Sequence, residues 1–291
     1  MESSGCRRWM FAVGVCMIFW GSPSQSRSDE VALPTYLLIG QSNMTGADSV
    51  ATTELPGTSP LDRDVLFWNR SAWQGETWED DSRFQPLRVQ STAGYCEDVI
   101  GPEFGFARAL RARSENSKIA IVKVSFPASD LDSDWRPTTP SQGKACYAAL
   151  TEEMTQVAKS LKADGFRPVV RAVLIHQGIS DASSIEKAGR YEENLRRLID
   201  RVRKDFASAS TPVIVTRSNL SPMMPVDAMQ AVRSSTVRVG ETTTGVDWIN
   251  VDDLERVVGH HFTAAGQMEI GKRFAQSLWK SKLRSTGSPL P

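Results

Sequence analysis

Apolar positions along the chain fall into two alternating patterns. Short, nearly continuous apolar runs occupy 35–39, 119–125, 169–176, 212–216 and 246–251. The middle ones are rich in β-branched residues, as expected of parallel strands covered on both faces. Between them lie longer stretches with helical spacing, at 103–113, 145–163, 184–206 and 263–283. In the third, Leu195, Leu198, Ile199 and Val202 mark one face; in the last, Phe274, Leu278 and Trp279 do the same. Strand and helix in alternation predict an α/β domain with a mainly parallel five-stranded sheet and helices on both sides. That domain is expected to run over 32–284.

One segment breaks the rhythm. Residues 48–101 are rich in Thr, Ser, Pro, Asp and Trp and read as a long irregular insertion, of the kind that carries function. Trp68, Trp73 and Trp78 within it either anchor the loop to the body, the favoured reading, or form a wall on which a sugar stacks.

The first thirty residues form a separate pattern. Arg7 and Arg8 precede the apolar "WMFAVGVCMIFW", and small residues follow, which describes an export signal over 1–26. The run is shorter than the roughly 20 residues of a transmembrane span. The mature chain is therefore expected to be exported (periplasmic, cell-surface or secreted), without stable membrane insertion. Export leaves Cys96 and Cys146, which can pair in an oxidising compartment; the chain-entropy model gives such a bridge about 4 kcal/mol.

Charge narrows the field further. Lys plus Arg and Asp plus Glu are equal at 34 each, so no global field draws nucleic acid or an anionic surface.

Candidate chemistry gathers at strand ends, where parallel sheets place their sites. Three polar clusters fall there: Gln41-Ser42-Asn43, His176-Gln177-Gly178-Ile179-Ser180-Asp181, and His260-His261. All three histidines of the chain lie in them. A serine beside a histidine suggests acyl transfer, the imidazole taking the hydroxyl proton. Ser42 as a helix cap remains the bland alternative. A metal site from His176, His260 and His261 is the rival chemistry, but no HxH or HExxH spacing supports it.

Four blocks in order, "GQSNMTG" (40–46), "GPEFGFARAL" (101–110), "IHQGISDA" (175–182) and "HHFTAAGQMEIGKRFA" (260–275), resemble the sialate O-acetylesterase-like branch of the SGNH/GDSL hydrolases, which includes carbohydrate esterase family six. The resemblance covers 36–275. It implies a flavodoxin-like three-layer α/β/α sandwich, the SGNH hydrolase fold. It also implies a serine esterase that removes acetyl or other small acyl groups from an acetylated carbohydrate through an acyl-enzyme, with no metal and no cofactor. Carried over by position, Ser42 is the nucleophile and His261 the base. Ser42 N–H, Gly101 N–H and the Gln177 amide are the oxyanion donors, and Gln41, Asn43, His176 and Asp181 are supporting residues.

Two departures stand out. The third block of the family usually reads QGESD, and Ile179 replaces the acid. The base usually follows an Asp-x-x-His pattern, yet Val258 stands three residues before His261. Asp252, Asp253 and Glu255 ahead of the histidines, or Asp181 at a neighbouring strand end, are the candidates for a substitute acid, with Asp253 and Glu255 equally readable as solvated loop charges. Without one, a Ser-His dyad remains as a slow esterase, while Val258 and Ile179 together motivate the alternative of a catalytically impaired relative that binds a glycan.

Overall fold

The computed structural model describes residues 30–50, 59–72, 83–92, 96–113, 118–137, 145–257 and 259–286. The export signal at 1–26, Trp73, Trp78, Val258 and the side chain of Cys96 lie outside this set, and with them the Cys96–Cys146 pairing. Cys146 itself is buried at the start of a helix. Among the described residues, no helix is long and apolar enough to cross a membrane.

The strands are β1 (Val31–Gly40), β2 (Val65–Ser71), β3 (Gln85–Pro86), β4 (Gln90–Thr92), β5 (Cys96–Val99), β6 (Ile119–Ser125), β7 (Phe166–His176), β8 (Val213–Arg217) and β9 (Val246–Asn250). The helices are α1 (Ser42–Thr45), α2 (Glu103–Arg111), α3 (Cys146–Ala163), α4 (Ile185–Phe206), α5 (Val226–Thr242) and α6 (Ala264–Thr286). The main sheet has seven strands in the order β3-β2-β6-β1-β7-β8-β9 rather than the expected five. All its pairings are parallel except β2 with β3.

The additional strands come from the supposedly irregular segment 48–101. Its run Val65-Leu66-Phe67-Trp68 pairs with β6 over its whole length, and Trp68 is buried in the core. Trp68 Nε1 donates to Glu153 Oε2 at 2.7 Å, which ties β2 to α3. Anchoring is thus the structural part played by this tryptophan. Helix α5 was not anticipated either, because its Ser, Thr and Val residues are weak helix formers. Burial of Ala228, Met229, Val232 and Val239 against the sheet outweighs that preference.

Strand periodicity sets the layers. Leu37 and Ile39 face a core shared with α3, α4 and α5, while Tyr36 and Leu38 face one shared with α2 and α6. The chain leaves β1 for β2 and β6 on one side and later crosses to β7, β8 and β9 on the other. The carboxyl end of β1 is therefore the point where the winding reverses, the place where an open α/β sheet forms its crevice. Ser42 begins two residues beyond that end.

Candidate active site

The turn that delivers Ser42 is built from close backbone contacts. Gln41 N–H donates to His176 O at 3.1 Å, tying the end of β1 to that of β7. A Cβ on Gly40 would lie 2.2 Å from the same carbonyl, so only glycine fits there. Gln41 caps α1 without a side-chain bond to it; its Oε1 instead accepts long contacts of 3.4 Å from Gly178 N and Ser180 N. Ser42 is consequently the first residue of the helix rather than its cap, and its hydroxyl is left for other use.

That hydroxyl meets His261, with Ser42 Oγ 2.9 Å from Nε2. On the far side of the ring, Nδ1 lies 2.6 Å from Asp48 Oδ2. Serine, imidazole and carboxylate form a continuous hydrogen-bonded chain, the arrangement in which a base is oriented by an acid. The carboxylate at His261 is none of the candidates Asp252, Asp253, Glu255 and Asp181. Asp252 is held by Arg217 and Arg233, with a 2.7 Å contact to Arg233 Nη2. Asp253 forms a two-pronged pair with Arg273 at 2.7 and 2.6 Å. Glu255 contributes its carbonyl to Thr263 N at 3.1 Å.

Asp48 reaches His261 because the chain curls back immediately after α1. Gly46 ends the helix in the left-handed region at φ 94°, and Asp48 follows there at φ 61°. A Cβ on Gly46 would fall 2.2 Å from Ile100 O, so the curl is packed tightly against the strand leading into Gly101. The Asp48 side chain is 49% exposed and that of His261 only 14%.

The segment that carries His261 is a narrow antiparallel loop. Arg256 bridges to Phe262, and Val257 N–H donates to His261 O at 2.9 Å. Asn43 pins it to the nucleophile helix, its Nδ2 donating to His260 O at 3.0 Å, and Gln267 Nε2 donates in turn to Asn43 O at 3.0 Å. His260 packs edge-on against His261 with ring centroids 4.4 Å apart, and its Nδ1 meets Ser221 Oγ at 3.1 Å. Burial and the neighbouring His261 lower the pKa of His260 to about 4. Fully buried His176 is pushed to about 3 by desolvation first, then by His261 and His260. Both rings are therefore neutral near pH 7.

One further expectation changes. Gly101 N–H is turned inward, donating to Glu103 Oε1 at 2.8 Å, and is already committed. Glu103 in turn pairs with Lys123 at 3.0 Å, both side chains fully buried, and Lys123 Nζ donates to Thr45 O at the end of α1. The second glycine block thus underpins α1, the helix that begins at Ser42, from below. Gln177 spends one N–H on Ser129 O at 2.7 Å and retains the other. Ser42 N–H, at the helix start, has no intrahelical acceptor.

Asp181 is buried, and its Oδ1 accepts from Leu131 N at 2.8 Å. Burial, with Asp130 nearby, raises its pKa well above the ordinary carboxylate value. Ile179, in the place of the family's acid, packs in the core beside α4 and α5. Among the described residues, no group of three or more His, Cys, Asp or Glu is placed to hold a metal ion.

The family described as "Carbohydrate esterase, sialic acid-specific acetylesterase" matches residues 32–280. The chain belongs to this family. A "Probable carbohydrate esterase" of Arabidopsis thaliana is 27% identical over 190 residues, a match spanning 62% of this chain and 66% of that relative. A solved structure of an Arabidopsis thaliana protein superposes with a TM-score of 0.65 at 21% identity, covering 85% of this chain and 98% of the other. NanS gives 0.60 at 14% identity, covering 87% and 98%. A carbohydrate acetylesterase from Xanthomonas citri gives 0.57 at 17%, covering 88% of this chain and 57% of that protein. At these identities the structural likenesses show a shared three-layer fold with a mostly parallel sheet.

Proposed function

We propose that this family member is an exported serine esterase that removes acetyl or similarly small acyl groups from a carbohydrate, with Ser42, His261 and Asp48 as its catalytic residues. The observation that carries this reading is the unbroken chain from Ser42 Oγ through His261 to Asp48 at 2.9 and 2.6 Å. In the first half-reaction, Ser42 Oγ bonds to the ester carbonyl carbon while its proton passes to His261 Nε2. The protonated imidazole, held and stabilised by Asp48, then gives that proton to the departing alcohol oxygen. Water repeats the sequence on the acyl-enzyme and releases the acid. Ser42 N–H and the uncommitted N–H of Gln177 are the proposed donors to the tetrahedral oxyanion; Gly101, whose N–H serves Glu103, is left out of that role.

The alternative of a lapsed glycan binder rested on Val258 before His261 and on Ile179; Asp48 at His261 Nδ1 answers the first of these. The test is direct. Purified protein should release acetate from an acetylated sugar and from a chromogenic acetate ester, and a fluorophosphonate probe should label Ser42. Ser42→Ala should lose both reactions. Equal hydrolysis by wild type and Ser42→Ala, or an unlabelled Ser42, refutes the assignment.

A further inference from the structure

Against the imidazole at the centre of the site stands a second one that the acyl-transfer chemistry does not use. His260 packs edge-on to His261 with ring centroids 4.4 Å apart. Its main chain is fastened to the residue after Ser42, since Asn43 Nδ2 donates to His260 O. The two nitrogens of this half-buried ring differ. Nδ1 meets Ser221 Oγ at 3.1 Å. Nε2 has no hydrogen-bond partner among the described residues, yet it is accessible to solvent, unlike the two ring nitrogens of His176, which are buried without partners. Ser221 decides where the ring carries its hydrogen. That buried hydroxyl accepts from Met223 N–H at 3.3 Å and, among the described residues, has only His260 Nδ1 to take its own proton. A hydroxyl has one proton to give, so it donates to Nδ1. The ring, neutral near pH 7, therefore carries its hydrogen on Nε2. An accessible donor stands one ring away from the proposed base.

Chemistry limits what this donor can meet. On the serine-esterase reading above, on which this inference rests, an acetyl ester brings two oxygens of its own. The carbonyl oxygen turns to Ser42 N–H and Gln177 as Ser42 Oγ bonds to its carbon. The alkoxy oxygen takes the proton from His261 Nε2 as the carbon–alkoxy bond breaks, so it must come within hydrogen-bond reach of that nitrogen. Neither is left for His260, and the acetyl methyl offers no acceptor. An oxygen that meets His260 must then belong to the alcohol, and lie close to the alkoxy oxygen because the two imidazoles are in contact. We propose that His260 is a specificity-determining residue whose Nε2–H donates to a hydroxyl or ether oxygen on the carbon next to the esterified one. Esters of vicinal diols carry that oxygen; simple alkyl acetates do not. A neutral ring suits the position, since a second cation there would oppose the imidazolium that forms on His261 in each half-reaction.

Butyl acetate and 2-methoxyethyl acetate have the same length and differ by one ether oxygen in the place of a methylene. The ratio of their kcat/KM values, each divided by the rate constant of that ester with hydroxide, isolates the contact. One neutral hydrogen bond is worth about two- to tenfold. His260→Phe keeps a planar ring against His261 and removes the donor, so it should cut the corrected preference for the ether ester by about that factor, mainly through KM. Damage to packing would instead lower both esters alike. A ratio unchanged in His260→Phe overturns the proposal. A measurement without turnover separates this contact from the esterase reading. In nitrogen-15 spectra of Ser42→Ala at pH 7, His260 should carry its hydrogen on Nε2, and that resonance should move with 2-methoxyethyl acetate more than with butyl acetate. A hydrogen on Nδ1, or equal responses to the two esters, also overturns the proposal. The expected response in a protein whose wild type hydrolyses no ester would keep the contact and remove the catalytic reading. Turnover of both esters with an unchanged ratio would do the reverse.

Discussion

Asp48 and Ser42 grip opposite nitrogens of one imidazole although both belong to the same short stretch of chain, at either end of a single helical turn and its left-handed exit. The proposed acid is therefore local to the proposed nucleophile, and the histidine is the part brought from far along the sequence. Replacing Asp48 by Asn keeps the shape and removes the charge. Loss of a triad acid costs about 10⁴-fold in turnover where that acid is buried. Because half of Asp48 is in water, where charge interactions are screened, a fall of about 10² to 10³ in kcat is expected with KM nearly unchanged. Asp253→Asn, which releases only Arg273, should retain wild-type turnover. Steady-state kinetics on a chromogenic acetate distinguishes the two.

The neutral histidines give the fold an acid limit. Desolvation lowers His176 from 6.5 to about 3, and His260 falls to about 4. Between these values and 6.5 the unfolded chain binds protons that the folded one refuses. Stability is thus complete above pH 6.5 and declines as pH falls, by up to about 1.4 kcal/mol per pH unit for each group. His176→Gln, which cannot titrate, should flatten the stability profile between pH 6 and 4 by about one proton's slope. Urea unfolding across that range would measure it, and an unchanged slope would contradict the assignment.

Asp181 acts in the opposite direction. Its pKa is raised by burial, so above 3.8 the unfolded chain releases a proton that the folded chain keeps. Its contribution is full below pH 3.8 and is lost as pH climbs toward the folded value. Asp181→Asn keeps an oxygen to accept from Leu131 N–H and should raise the melting temperature at pH 8 while leaving it nearly unchanged at pH 3.5. Thermal scans at the two pH values suffice.

Beneath the nucleophile helix, Lys123 and Glu103 form a fully buried pair. Removing one partner strands the other, so Lys123→Met should cost about 3–5 kcal/mol and, by freeing Thr45 O, also lower kcat. Adding Glu103→Gln to Lys123→Met removes the stranded charge and should recover part of the stability. Chemical denaturation of the single and double variants gives the coupling.

Much of the fold could be read from alternation alone, because long apolar strands and helical stripes are strong local signals. Strand β2 escaped because its four apolar residues sit in polar surroundings, and only pairing with β6 makes them a strand. Ser42 and His261 were legible because a strand end that delivers polar residues is an unusual pattern. Asp48 was not, since nothing in "TGADS" distinguishes a catalytic carboxylate from a loop charge; its role depends on two left-handed residues bending the chain back on itself. Asp252 and Asp253 looked like better candidates by proximity in sequence, and arginines invisible to that proximity hold them both. The inward turn of Gly101 was hidden because Glu103, only two residues on, is held in place by Lys123 on strand β6.

The closeness of Asp48 to Ser42 in the chain has a consequence for how the proposed site can diversify. Where the carboxylate and the histidine share one loop, any insertion or remodelling there risks the proton relay. Here the stretch before His261 is relieved of that duty and has only to present an imidazole, held in place by Asn43. That stretch can therefore change in sequence without removing the carboxylate that His261 Nδ1 meets.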